Sequence, residues 1–301
     1  MDRIRAMQVF VQVAELGSFS KAAERLGLPP PTASNAIRAL ERQLGVRLLQ
    51  RTTRKVSLTE EGMLYLERCT RLLADIEDTD VMFAGPHGNP RGVVRVDLPE
   101  RLARLSIIPA LPDFFAAYPN IQIKLATNDR FANIVGEGID CAVRVGSLAD
   151  SSLIARRIGE MEQVNCAAPA YIARYGVPRK PRDLEKHMTI NYFSSRTGRD
   201  IPWEYMERGQ LHMVKMRGTV SVSSSEAYLA CCLAGLGLVQ VPRNGVEPYF
   251  ASGTLIEVMP KFRAPPLPVS IVYSHSRQMS PRVRVFVDWV AELLGDSAKS
   301  V

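Results

Sequence analysis

The first eighty residues set short apolar stripes between turn signals, at the three-to-four-residue spacing of helices. Ile4, Met7, Val9, Phe10, Val13, Ala14 and Leu16 form the first stripe, and Gly17 stops it. Ser18 or Ser20 can cap a second helix with Ala22, Ala23 and Leu26 inward and Gly27 at its end. Leu28-Pro29-Pro30-Pro31 reads as a rigid turn, and a third helix carries Ala33, Ile37, Leu40 and Leu44 on one face up to Gly45. Residues 46–58 read as a hairpin: Val46, Leu48 and Leu49 lead in, residues 50–54 turn, and Lys55-Val56-Ser57-Leu58 leads out. One long helix covers 59–83 with Thr59 as its N-cap, and Leu66, Cys69, Leu73 and Ile76 follow a 3-4-3 heptad spacing along it. Such a stripe either pairs two chains or packs on its own domain. Residues 85–92, rich in Gly and Pro, read as a linker.

Beyond residue 92 strand and helix patterns alternate. Strands are expected at 93–98, 121–125 and 140–145, with a helix face of Leu111, Phe114, Phe115 and Tyr118 and another helix near 131–135. A second round opens at 162–167, with a helix near 225–234 and a strand at 237–241. An apolar strand at 267–273 and a helix carrying Val283, Phe286, Val287, Val290 and Leu294 finish the chain. This alternation predicts a mostly parallel sheet flanked by helices, in two lobes with a late return strand. Such sheets take ligands at the carboxyl ends of their strands.

Composition changes the picture little and charge changes it more. The 301 residues are 46% hydrophobic and 23% charged, a folded and multidomain balance with a net charge of +7. Residues 1–60 hold ten Lys/Arg against five Asp/Glu, so the basic footprint is N-terminal. No secretory signal opens the chain and no run of about 18 apolar residues spans a membrane, so a cytoplasmic protein without a membrane partner is expected. Five cysteines without CxxC spacing read as reduced thiols, and Cys231-Cys232 as buried and inert. Four scattered histidines offer no metal-ligand spacing, and no metal or cofactor is expected. There is no GxSxG, Walker A, HExxH or GxGxxG pattern, so no enzyme class is indicated.

Three short helices, the second and third joined by a tight turn, make a helix-turn-helix at about 19–38. The third should enter a DNA major groove. Candidate DNA-binding residues are Ser18, Ser20, Lys21, Pro30, Pro31, Thr32, Ser34, Asn35 and Arg38, joined at the hairpin by Arg51, Thr53, Arg54 and Lys55. Asn35 suits an adenine edge, Arg38 a guanine or a phosphate, and the hairpin cations suit phosphates.

Phe10-Val11-Gln12-Val13-Ala14-Glu15-Leu16-Gly17-Ser18-Phe19-Ser20-Lys21-Ala22-Ala23, the string from Ile37 to Arg54, and Leu58-Thr59-Glu60-Glu61-Gly62 together resemble the opening of LysR-type transcriptional regulators. Leu184-Glu185-Lys186-His187, Ala234-Gly235-Leu236-Gly237-Leu238 and Gly253-Thr254-Leu255 look like landmarks of that family's effector-binding domain. One departure is Ser34-Asn35-Ala36, where family members often carry Ser-Arg or Ser-Gln. The resemblance implies an α/β chain with an N-terminal all-α winged helix-turn-helix and a C-terminal two-lobed α/β domain like that of periplasmic binding proteins. It also makes the long helix the dimerisation element, through Leu66, Cys69, Leu73 and Ile76.

The domains expected are a DNA reader at 1–59, a linker helix at 60–84 and an effector-binding domain at 91–301. The last divides into lobes at about 91–160 with 267–301, and about 161–266. Candidate effector contacts at strand ends and helix starts are Pro99, Thr127, Asn128, Arg144, Ser223, Ser224 and Gln240. Ser223 and Glu226 have capping-box spacing. Helix starts favour anions and Arg144 suits a carboxylate, so a small organic anion is expected, although Asp97 or Asp129 can also neutralise Arg144 from within. The expected partners are double-stranded promoter DNA, the effector, a second copy in a homodimer or homotetramer, and RNA polymerase.

Overall fold

The computed structural model describes residues 2–51, 56–83, 90–130, 134, 136–148, 153–195, 197–274 and 279–297. The chain divides into two compact units, Met1–Asn89 and Pro90–Val301.

In the first unit α1 (Arg3–Leu16), α2 (Phe19–Arg25) and α3 (Pro30–Leu44) precede a hairpin of β1 (Leu49–Arg51) and β2 (Val56–Leu58), and α4 (Glu60–Phe83) follows. Val9, Phe10, Val13, Ala22, Ala23, Ala33 and Ile37 are fully buried where the three short helices meet. Gly17 ends α1 at φ 59, a conformation that other residues adopt only with strain. Ser18 caps α2, its Oγ accepting the Lys21 N–H at 3.4 Å. The turn between α2 and α3 is shorter than the proline run suggests. Pro30 and Pro31 lie inside the first turn of α3, where the N–H groups they lack would have no helical acceptor. Ile4, expected in the core, is exposed.

The hairpin pairs Leu49 with Leu58 and Arg51 with Val56. Glu41 of α3 anchors its entry, one carboxylate oxygen accepting the N–H groups of Leu48 and Leu49 at 2.9 and 3.1 Å. Thr59 starts α4 as expected: its Oγ accepts the Gly62 N–H at 2.9 Å and donates to the Arg47 carbonyl at 2.7 Å. These contacts draw α4 so close to the hairpin that a Cβ on Gly62 would lie 2.0 Å from the Leu48 carbonyl oxygen.

The second unit holds two lobes. The first is a five-stranded sheet in the order β4-β3-β5-β15-β6, built from β3 (Gly92–Leu98), β4 (Ile121–Thr127), β5 (Cys141–Val145), β6 (Leu153–Met161) and β15 (Leu267–Ser274). Against it pack α5 (Glu100–Leu102), a π-helical turn at Ala103–Ile107, α6 (Ile108–Ala117) and the final helix α10 (Pro281–Ser297). The π turn precedes Pro109, which has no N–H to return to the turn behind it. Phe114 anchors this core, its ring centroid 5.7 Å from that of Phe286 and 4.9 Å from that of Trp289.

The chain leaves this lobe along β6 and returns along β15. The second lobe lies between: β7 (Gln163–Ala167), α7 (Pro169–Tyr175), β8 (Asn191–Phe193), β9 (Asp200–Ile201), β10 (Trp203–Glu207), β11 (Gln210–Val214), β12 (Ser221–Val222), α8 (Ser225–Leu233), β13 (Val239–Pro242), α9 (Glu247–Ala251) and β14 (Ile256–Glu257). Its sheet β13-β7-β14 buries Val164, Cys166, Val239 and Val241 with α8, and Ala167 and Leu238 in a separate cluster with Tyr171 of α7 and Trp203.

The expectation of a mostly parallel sheet needs correction. β3 runs parallel to β4 and β5, but β15 is antiparallel to both β5 and β6, because exit and return strands lie side by side. Both pairings of β7 and the β10–β11 hairpin are antiparallel as well. The helix expected near 131–135 lies outside the described residues apart from Ile134.

An isolated helix gains about 1 kcal/mol when Gly becomes Ala. Gly62→Ala should do the reverse here, lowering stability by roughly 1–3 kcal/mol, because Leu48 or α4 must shift. Thermal or urea unfolding of the full chain checks the sign, and an unchanged or raised midpoint would refute the close packing of α4 on the hairpin.

Candidate nucleic-acid interface and ligand cleft

α3 carries two faces. Ala33, Ala36, Ile37 and Leu40 are buried in the core of the unit, while Pro30, Pro31, Asn35 and Arg38 are exposed and Thr32 and Ser34 are half-buried. Ser20 and Lys21 are exposed on α2, and Ser18 is committed to its cap. The exposed side continues past the end of α3 into a groove of ≈ 680 Å³ lined by Asn35, Arg38, Glu41, Arg42, Gly45, Val46 and Arg47. Arg42 and Arg47, absent from the sequence-derived set, thus extend the cationic surface beyond Arg38. The signal was present in the sequence, since residues 38 and 42 are one helical turn apart. Arg51 lies in β1, and Thr53, Arg54 and Lys55 lie outside the described residues.

The stripe expected to pair two chains along α4 packs largely within its own unit. Cys69 is fully buried in the core of its own unit, and Leu66 and Leu73 pack against the same core. Phe10 and Tyr65 bring α1 and α4 together, with ring centroids 5.5 Å apart. Three of the four expected seam residues therefore serve the chain's own fold. Ile76 remains exposed, together with Met63, Leu64 and Leu72.

In the second unit the strand ends of the first lobe meet the start of α8. Asp97 and Arg144 form an ion pair at 2.7 Å with side-chain exposures of 0% and 7%. Asn128 donates to Asp97 Oδ1 at 2.6 Å. Burial pushes the Asp97 carboxyl above its ordinary value, while Arg144 and Asn128 pull the other way. Arg144, expected to meet a ligand carboxylate, is thus engaged by the protein's own.

The capping box at Ser223 also needs correction. The helix starts one residue later, with Ser224 as N-cap: its Oγ accepts the Ala227 N–H at 3.4 Å. Ser223 uses its carbonyl to accept the Tyr192 hydroxyl at 3.1 Å. Glu226 turns away from the cap and pairs with Arg101 at 3.2 Å and Arg104 at 2.9 Å, across the lobes. Gln240 is likewise committed elsewhere. It bonds Asn165 Oδ1 at 2.8 Å and both the N–H and the carbonyl of Glu204, tying β13 to β7 and β10.

Pro99 is half-buried beside the start of α5, and Thr127 is exposed at the end of β4. Asp129, considered from the sequence only as a neutraliser of Arg144, has other partners, and Asp97 takes that role. Asp129 Oδ1 accepts the Glu100 N–H at 3.3 Å and Asp129 Oδ2 the Ser225 N–H at 2.5 Å, so Asp129 bridges a helix start in each lobe. No periodicity marks such a contact, since its partners lie 29 and 96 residues away along the chain.

Among the described residues no His/Cys/Asp/Glu group is arranged to hold a metal, and no helix is long and apolar enough to cross a membrane. Cys69, Cys141, Cys166 and Cys232 are buried and all five cysteines are free, with burial pushing the Cys69 and Cys141 thiols upward, away from the reactive thiolate. His187 is buried against Tyr171, with 3.2 Å from the hydroxyl to Nδ1.

Comparison with known proteins adds the decisive observation. A family model described as "Bacterial regulatory helix-turn-helix protein, lysR family" matches residues 4–63, and one described as "LysR substrate binding domain" matches residues 87–295. The chain belongs to the LysR family of transcriptional regulators. It is 41% identical to the uncharacterized HTH-type transcriptional regulator YhjC of Escherichia coli over 294 residues, 98% of each chain. It is 37% identical to an HTH-type transcriptional repressor of Pseudomonas aeruginosa, covering 99% of this chain and 94% of that protein. Its fold is similar to that of CrgA, a LysR-type transcriptional regulator from Neisseria meningitidis, with TM-score 0.60, 32% identity and 97% and 98% of the two chains covered. The protein is thus a LysR-type DNA-binding regulator with an effector-binding domain, in a family of regulators with no enzymatic activity indicated.

In this LysR-type regulator the Asp97–Arg144 pair has a measurable consequence. Arg144→Ala leaves a buried carboxylate without its cation and should cost about 3–5 kcal/mol. Replacing both partners by apolar residues, as in Asp97→Leu with Arg144→Met, should recover most of that loss. Urea titration of the three proteins decides. An Arg144→Ala midpoint equal to wild type would return Arg144 to the set of free ligand contacts.

Proposed function

We propose that this regulator reads promoter DNA as a homodimer or homotetramer, with α3 in the major groove, and that a small organic anion entering the cleft of the second unit changes that binding. The observation that carries the DNA reading is the outer side of α3: exposed Asn35 and Arg38 stand where a helix meets base edges, and Arg38, Arg42 and Arg47 line one groove beside them. Arg38 and Asn35 read bases, and Arg42, Arg47 and the hairpin cations at 51, 54 and 55 hold phosphates. The anionic effector is supported by Asp129, a carboxylate accepted between the N–H groups of two helix starts. That support replaces the one expected from Arg144. Pairing of chains is supported by the exposed apolar side of α4, Leu64, Leu72 and Ile76, in place of the buried stripe. An effector shifts promoter binding only by its different affinity for the two lobe arrangements. The regulator works in the cytoplasm, where promoter and RNA polymerase are found.

Selection from random duplexes by the full-length protein should enrich a site with two related half-sites. On that site Asn35→Ala and Arg38→Ala should each cost roughly 1–3 kcal/mol, with little effect on unselected DNA. Arg42→Ala and Arg47→Ala should weaken binding to all duplexes and flatten the salt slope by about one unit each. Failure to enrich any sequence, or equal losses on both kinds of DNA for Asn35 and Arg38, would refute base reading by α3.

Assembly is tested on α4. Leu72→Asp and Ile76→Asp should give folded monomers in light scattering, whereas Leu73→Asp should unfold the N-terminal unit. Folded dimers in both of the first two variants would exclude this side of α4 as the contact.

A further inference from the structure

Asp129 occupies a position suited to a ligand. Its two oxygens accept the Glu100 and Ser225 N–H groups, at the start of the α5–α6 helical run in one lobe and of α8 in the other. Both helix starts present partial positive charge. The neighbouring Ser225 hydroxyl oxygen is buried and has no hydrogen-bond partner among the described residues. A donor therefore remains at this point that Asp129 does not use. The junction is completed by Glu226, held by Arg101 and Arg104 of the first lobe, and by Arg101 donating to the Gly245 carbonyl at 2.5 Å.

Asp129 differs from the other carboxylate at the strand ends. Asp97 is fully buried and locked to Arg144, whereas Asp129 is half-exposed and can turn to water. The loop that carries it is shaped by its neighbour, Asn128 Oδ1 accepting the Arg130 N–H at 3.1 Å and Asn128 N–H donating to the Leu98 carbonyl at 3.0 Å. Neither of these contacts involves the Asp129 carboxylate, so both survive its loss.

We propose that Asp129 is a tethered stand-in for the effector, latching the two lobes of the ligand-free domain with a carboxylate that the effector's own anionic group displaces. This rests on the reading that the cleft takes an organic anion. A tethered group competes at an effective concentration of about millimolar or above. A simple monocarboxylate is thereby excluded at ordinary concentration, and a ligand that adds contacts, with the Ser225 hydroxyl available as donor, gets in. Asp129 thus sets both the class of ligand and the threshold at which the cleft responds.

The test uses full-length protein with acetate as the probe. Thermal melts of wild type, Asp129→Ala and Asp129→Asn are recorded in sodium acetate and in sodium chloride at equal ionic strength, with Asp113→Ala, an exposed carboxylate that makes none of the latch contacts, as control. Asp129→Ala should melt below wild type and regain roughly 2–4 °C in a saturable manner with acetate. Wild type, Asp129→Asn and the control should respond to acetate no more than to chloride. An equal acetate response in wild type and Asp129→Ala, or none in Asp129→Ala, overturns the proposal. Should Asp129→Ala fail to fold, amide exchange at Ser225 in the isosteric Asp129→Asn protein decides: faster exchange than in wild type supports the latch, and unchanged exchange overturns it. Selected-site binding against a panel of carboxylates separates this proposal from the reading beneath it. The expected result is a response by Asp129→Ala at tenfold or more lower concentration than by wild type. Response of both at the same concentration overturns the stand-in and leaves the anionic effector. No response of either to any carboxylate removes the anionic effector and the stand-in together.

Discussion

A charge withdrawn from water has to meet its opposite, and at the strand ends of the second unit that requirement dictates the arrangement. Asp97 at the end of β3 and Arg144 near the end of β5 project on one side of the sheet into a nearly dry space, and neither is tenable there without the other. Buried pairs of this kind add little net stability, because desolvation offsets the attraction, but losing one partner is costly. The pair therefore acts as a register mark between two parallel strands. Asn128 binds to the same carboxylate, so the loop after β4 takes its position from the pair as well. Asp129 is the next residue, and its reach to α8 depends on that placement.

Charge closure continues across the lobes. Glu226 lies in the first turn of α8, where an acidic residue is favoured by the helix end, and it is further held by two arginines from the other lobe. The lobes are joined covalently along β6 to β7 and again into β15, and Gln163 steadies this crossing by donating to the Pro265 carbonyl at 2.7 Å. A two-stranded connection permits rotation of one lobe on the other, and the polar contacts at α8 resist it. Stability in this region is local and electrostatic, unlike the aromatic packing of Phe114, Phe286 and Trp289 behind the sheet.

In the first unit one helix satisfies two demands without conflict. The inner side of α3 is small and apolar, so α1 and α2 approach closely over Ala33, Ala36 and Ile37. The outer side is polar and contributes little to the core, which leaves it free of packing demands. Glu41 stands at the border, and by accepting two N–H groups from Leu48 and Leu49 it fixes the hairpin relative to α3.

The division between sequence and tertiary structure follows from the range of the interactions. Helices α1 to α4, strands β3, β4, β5, β7 and β15, and helices α8 and α10 were legible because periodicity, caps and glycine stops act within a few residues. The Thr59 cap is one such signal, and Ser18 another. β6 was not legible: it lies at the sheet edge with Arg156 and Arg157 exposed, so no alternation marks it. Sequence alone likewise suggested that Leu66, Cys69 and Leu73 form a stripe, but a stripe does not say what covers it, and here α1 and the hairpin of the same chain do. Arg144, Ser223, Gln240 and Asp129 make the same point in the second unit. Which cation meets which carboxylate, and which carboxylate meets a helix N–H, depends on partners far apart in the chain, and only the folded molecule brings them within hydrogen-bond distance.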